Sequence, residues 1–198
     1  MRVLALELSS ARGSIAFRDG DDEIFASEFA NDRKHSGIFF TDLKRCVDQS
    51  GDAEKIVVGL GPGSYAGTRI AIAAAIGLKA ATGAQLGGLP SIIALPTDAP
   101  DYVVIGDARR QSFFFALVRQ RCCSDGPVLC SAEELDARLR ENILPVFATE
   151  PILQFPAATV LHPSASILVR IPSAVTAAPL EPIYLREPHI TQPKTARV

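Results

Sequence analysis

An α/β fold made of two successive lobes is what this sequence predicts, and three observations predict it. Short strand-like runs at hairpin spacing open the chain: "VLALELSS" (3–10), "GSIAFRDG" (13–20) and "EIFASEFA" (23–30), with "DGDD" as the turn between the last two. A break follows at "PTDAPD" (96–101), two prolines and two aspartates in six residues. Beyond it the pattern restarts, with "YVVIGDA" (102–108) and "SFFFALVRQ" (112–120) as a second hairpin around "RRQ". The lobes are therefore expected at 1–97 and 98–198, the second shortened and ending in an irregular tail that carries five prolines from Pro172 onward.

The remaining elements follow in order. "HSGIFFTDLKRCVDQSG" (35–51) reads as an amphipathic helix with Phe39, Leu43, Cys46 and Val47 on one face, Ser36 as its N-cap and Gly51 as its stop. "KIVVGL" (55–60), apolar and flanked by glycine, reads as a buried parallel strand. A glycine loop and a helix come next (61–83), then a strand at "AQLGGL" (84–89) and a helical turn at "PSIIAL" (90–95). In the second lobe "SAEELDARLREN" (131–142) opens with Ser131 and Glu134 at capping-box spacing. "ILPVFAT" (143–149) and "ATVLHP" (158–163) are strand candidates.

Composition narrows the function. Apolar residues make up 47% of 198, ample for a core, and the net charge is −2. Without a basic surplus, any contact with nucleic acid is expected to be shared with a partner. Cys46, Cys122, Cys123 and Cys130 show no C-x-x-C spacing, which suits reduced thiols in a cytoplasmic protein. The hydrophobic start is broken by Glu7, too early for a signal peptide, and no apolar run reaches the ~18 residues of a membrane span.

"GPGSYAGTR" (61–69) leaves two readings open. A strand, a glycine turn and a helix N-terminus together suit an anion, because backbone N–H groups and the helix dipole point at it. Yet the Gly-Lys-Ser/Thr end of a Walker A loop is missing, and Gly67 falls one position late for G-x-G-x-x-G, which favours a tight structural turn. If a nucleotide binds, the candidates are Glu7, Ser9, Ser10, Gly61, Gly63, Ser64 and Asp107, with Glu7 and Asp107 as two acids facing one cleft. Behind the loop, Lys79 is the only charge between Arg69 and Asp98. A helix apolar all round needs cover on every face. Either the chain's own second lobe supplies it or a second subunit does, and the small residues favour the subunit, with Phe40, Ile70, Ile72, Ala74, Ile76 and Gly77 at the interface. His35, His162 and His189 have no metal-ligand spacing, and neither a metal site nor a catalytic serine is expected.

"GPGSYAGTRIA" resembles the GPGS-[FY]-TG-x-R-x-G signature of the TsaB (YeaZ) family, and "LALELSSARGSIAF", "HSGIFFTDL", "DARRQSFFFA" and "LEPIYLREPH" agree with it in order and distance. The resemblance implies an actin-like ATPase (ASKHA) fold of two RNase H-like lobes. It also implies a non-catalytic paralogue of TsaD that pairs with it through first-lobe helices in threonylcarbamoylation of tRNA adenosine. TsaE, an ATPase, and TsaC complete that pathway. tRNA would be met only through the complex, with ATP or ADP and magnesium at most there, and the lone chain would form a homodimer or stay monomeric. Glu7, Ala66 and Thr68 depart from the family pattern. A self-contained ASKHA phosphotransferase using Glu7 and Asp107 is the alternative, with a peptidase-like protein behind it.

Overall fold

The computed structural model describes residues 1–31, 37–172 and 179–186. β1 (Arg2–Glu7), β2 (Arg12–Asp19) and β3 (Asp22–Ala30) form an antiparallel meander. β4 (Lys55–Gly59) joins β1 in parallel and β5 (Gln85–Leu89) joins β4, so the sheet runs β3-β2-β1-β4-β5. In the second sheet β6 (Asp101–Asp107), β7 (Phe113–Arg119) and β8 (Cys122–Cys130) form the meander. β9 (Val146–Ala148) and β10 (Thr159–Val160) add in parallel, giving β10-β9-β6-β7-β8. Counted from the first strand of each, the two sheets have one topology. That is the RNase H-like arrangement used twice, the actin-like ATPase fold, and the duplicated α/β expectation holds.

Alternation along the strands separates two layers. Leu4 and Leu6 of β1, Ile15 and Phe17 of β2, and Ile56 and Val58 of β4 face α1 (Gly37–Ser50) and α2 (Tyr65–Thr82). Val3, Ala5, Ala16 and Val57 point the other way, onto Ala165, Leu168 and Val169 of the short helix α4 (Ala165–Leu168) and its end. Small side chains on that face let the late segment approach, and the Ala165 N–H donates to the Ser14 hydroxyl at 2.9 Å. Burying each large aliphatic chain contributes about 1.5–3 kcal/mol.

Local chemistry fixes the ends. α2 is capped by Ser64 and stops at Gly83, whose φ of 76° suits glycine and whose N–H returns to Lys79 O. Gly51 plays the same part after α1 with φ 71°. α3 (Ala132–Glu141) has the expected capping box, with Glu134 N–H on the Ser131 hydroxyl at 3.2 Å and Ser131 N–H on the Glu134 carboxylate at 2.8 Å. Residues Ser36 and His35 lie outside the described residues.

Three elements differ from expectation. β8 escapes the sequence pattern because Gly126 and Pro127 interrupt it; as an edge strand it tolerates a residue without an N–H, and its register shifts there. α4 carries no cap signal; its Ser164 makes no side-chain cap bond. The tail at 179–186 lacks regular structure, as expected, but it is packed. Leu180 is buried against Leu60 and Gly88 of the first lobe, the Ile183 N–H donates to Leu60 O at 2.8 Å, and Leu185 rests on the second core.

Glycines in α2 separate by what surrounds them. A Cβ on Gly67 would overlap the Leu8 carbonyl oxygen, a backbone atom that cannot swing away, whereas at Gly77 there is open space. Gly67→Ala is expected to cost about 1–3 kcal/mol, and Gly77→Ala to add about 0.5–1 kcal/mol from helix propensity alone. Thermal or urea unfolding of the two variants reads both signs.

Candidate functional site

A cleft of about 630 Å³ lies between the lobes. The turn after β1, the glycine loop and the start of α2 form one wall; the β6–β7 hairpin tip, Thr149 and Glu150 form the other, and the tail from Pro182 to Arg186 runs along it. Of the nucleotide candidates, Ser9, Ser10, Gly63, Ser64 and Asp107 line this cleft, while Glu7 and Gly61 do not. Sequence reasoning gave no site role to Asn31, Tyr184 or Arg186. Asn31 bonds Leu8 O and Ser10 O at 2.9 and 2.8 Å, which only the folded turn reveals.

Several polar groups of the glycine loop are engaged within the chain. Gly61 N–H donates to the buried Ser91 hydroxyl at 2.9 Å, and Ser64 N–H to Ser9 O at 2.6 Å. The Ser64 hydroxyl accepts from Gly67 N–H at 3.2 Å and its carbonyl from Thr68 N–H at 3.0 Å. Gly61 has φ 90°, which suits glycine, and a Cβ on Gly63 would overlap Ser9 O. The loop thus presses backbone to backbone on the turn after β1. The amides that a phosphate would use at Gly61, Ser64 and Gly67 already have partners.

Glu7 is a correction. It was expected at the cleft as a metal-nucleotide acid, and it is fully buried beneath the loop. Its Oε1 accepts from Ser9 N–H at 2.6 Å; its Oε2 makes no hydrogen bond of normal geometry, although the Ser91 hydroxyl lies beside it. Gly59 is what makes room, since a Cβ there would overlap Oε2. Burial pushes the carboxyl above the ordinary range, and the neighbouring Ser9 and Ser91 only moderate this. Glu7 and Asp107 therefore do not face one cleft.

Asp107 is half-exposed and held by its own hairpin. Its carboxylate accepts from the Arg109 N–H at 2.6 Å and from the Arg109 guanidinium at 3.1 Å, and the same guanidinium lies 3.8 Å from Glu150. Arg109, Arg110 and Gln111 have φ of 65°, 54° and 59°, three successive non-glycine residues in the left-handed region, a strained tip of the kind found at binding surfaces. Among the described residues no group of three His, Cys, Asp or Glu could hold a metal. No described helix is long and apolar enough to cross a membrane.

The face of α2 turned to the sheet buries Gly67, Thr68, Ala71, Ile72 and Ala75. Ile72 is the second correction: expected at an interface, it is 7% exposed and belongs to the chain's own core. Ile70 and Ala74 are half-buried, and Ile76 and Gly77 are exposed. On α1, Ile38 and Phe40 are exposed as well, so the described second lobe does not cover the outer side of these helices.

No family model matches the chain. An uncharacterized protein of Mycobacterium tuberculosis is 29% identical over 139 residues, 69% of this chain and 66% of that relative. One of Mycobacterium leprae is 28% identical over 140 residues, 69% of this chain and 39% of its own length. The matched part is thus under two thirds of each relative. Among solved structures, YeaZ from Pseudomonas aeruginosa has a TM-score of 0.70 at 20% identity, covering 93% of this chain and 99% of that one. An uncharacterized protein with similarity to peptidase YeaZ from Pseudomonas aeruginosa gives 0.73 at 21%, with the same coverage. At these identities the likeness is one of fold, and it extends over nearly the whole chain.

Buried Glu7 makes stability depend on pH. With its folded value raised above the ordinary 4.5, the stability it contributes as a neutral acid is complete below 4.5 and is lost as pH rises through the folded value. Glu7→Gln, neutral throughout, is expected to be the more stable form at neutral pH and to lack that part of the decline. Urea unfolding of both proteins across an acid-to-neutral series measures the difference.

Proposed function

We propose that this chain is a TsaB-type, non-catalytic subunit that pairs with a TsaD-type enzyme and supports threonylcarbamoylation of tRNA adenosine. The observation that carries the reading is the outer side of α1 and α2, where Phe40 and Ile76 are 51% and 48% exposed beside a glycine with nothing against it. A glycine inside a helix weakens it, and nothing in the described chain explains Gly77 sterically. Close approach of a helix from another subunit does. The YeaZ fold and the signature around Gly61–Gly67 support the same assignment.

The site geometry bears on the alternative. A self-contained phosphotransferase needs free amides in the glycine loop and acids in the cleft. Here the Gly61, Ser64 and Gly67 amides are bonded, Glu7 is sealed away and Asp107 is tied to Arg109. The loop serves instead to hold the N-terminus of α2 and so to aim its outer face. A TsaE-type ATPase and the tRNA join at the level of the complex, in the cytoplasm, and ATP or ADP with magnesium belongs there too. The lone chain forms a homodimer through the same helices.

Analytical gel filtration with the TsaD-type paralogue of the same organism tests this. A 1:1 complex is expected from the parent protein. Ile76→Glu should fold normally yet lose the complex, because an unpaired charge buried at an interface costs about 3–5 kcal/mol. Retention of the complex by that variant would remove this face from the assignment.

A further inference from the structure

An aromatic and cationic platform stands at the mouth of the cleft. Tyr65, in the first turn of α2, and Tyr184, on the tail, have ring centroids 5.4 Å apart at a tilt of 34°. Arg69 lies over the Tyr65 ring at 5.1 Å and donates from Nη1 to the Tyr65 hydroxyl at 2.7 Å. Core aromatics bury their rings; these do not, with Tyr65 48% and Tyr184 42% exposed. The arginine and both tyrosines thus pack on one another at the surface.

Arginines gather around this platform although the chain is net acidic. Among the described residues lining the cleft, the two carboxylates, Asp107 and Glu150, both lie against Arg109. Arg69, Arg110 and Arg186 have no carboxylate partner among the described residues, and Arg186 lines the cleft itself. Arg110 is exposed at the left-handed tip of the β6–β7 hairpin, next to Arg109 of the cleft wall. Exposed rings beside arginines that have no carboxylate partner among the described residues match the chemistry of single-stranded nucleic acid, whose bases stack on aromatic faces and whose phosphates need cations. A mononucleotide would satisfy one ring and one charge; a strand satisfies the whole set.

We infer that the Tyr65–Tyr184 pair, with Arg69, Arg110 and Arg186, is a direct docking surface for a single-stranded RNA segment. The inference goes beyond the pairing role and is read separately from it, because the chain is tested alone.

Fluorescence anisotropy with a labelled single-stranded oligoribonucleotide of about ten residues, at low and at moderate salt, is the experiment. The parent protein should bind, more weakly as salt rises. Tyr65→Ala with Tyr184→Ala should bind about tenfold more weakly with an unchanged unfolding midpoint. Arg110→Ala with Arg186→Ala should weaken binding and flatten the salt dependence. Photo-crosslinking should place RNA on the peptides that carry Tyr65 and Tyr184. Absence of binding by the parent at low salt overturns the inference, as does equal binding by the tyrosine variant or an affinity for duplex RNA or AMP as high as for the strand. If the tyrosine variant instead loses only the subunit complex, the platform belongs to the protein partner and the inference falls.

Discussion

Backbone pressed on backbone, where the glycine loop meets the turn after β1, is the contact on which the rest of the molecule depends. Ser64 N–H on Ser9 O, and the bare α-carbons of Gly63 and Gly67 beside the Ser9 and Leu8 carbonyls, bring two stretches of main chain closer than any side chain permits. That approach fixes where α2 begins and which side of it turns outward. It also seals Glu7 in the space that Gly59 leaves and orients the wall of the cleft. A feature that looks in one dimension like a cradle for an anion is, in three, also a seam pressed against the protein's own carbonyls.

The duplicated architecture was legible because strand periodicity survives in short runs and turns announce themselves by Gly, Asp and Pro. The hairpins of both lobes, the capped helix α3 and the parallel strand β4 all stand close to where spacing puts them. β8 and α4 were not legible, for different reasons. An edge strand has one free side, so it needs no unbroken apolar pattern and tolerates Gly126–Pro127. A four-residue helix is specified by what it packs on, here Val3, Ala5, Ala16 and Val57, rather than by its own sequence.

At the site, residue type was informative and orientation was not. Ser9 and Ser10 of the turn, Gly63 and Ser64 of the loop, and Asp107 line one cleft, whereas Gly61 lies outside it. Glu7, two residues before Ser9 at the end of β1, is buried beneath the loop in the space that Gly59 leaves, and residue type alone does not announce that. The same limit applies to α2. An almost uniformly apolar helix offers no moment from which to tell inside from outside, so Ile72 and Ile76, one turn apart, could not be assigned opposite fates. Tyr184 meets Tyr65 across a long sequence separation, and no local pattern records that.

The tail segment carries a consequence for how the molecule is made. Leu180 completes the core of the first lobe, and Leu185 rests on that of the second, while α4 closes the other face of the first sheet. The first lobe is encoded first but finished last. On the ribosome its strands and helices emerge while parts of both its hydrophobic faces still await Ala165, Leu168, Val169 and Leu180. A nascent chain therefore spends most of its synthesis with that lobe open, and its completion coincides with the docking of the two halves, as a single late event.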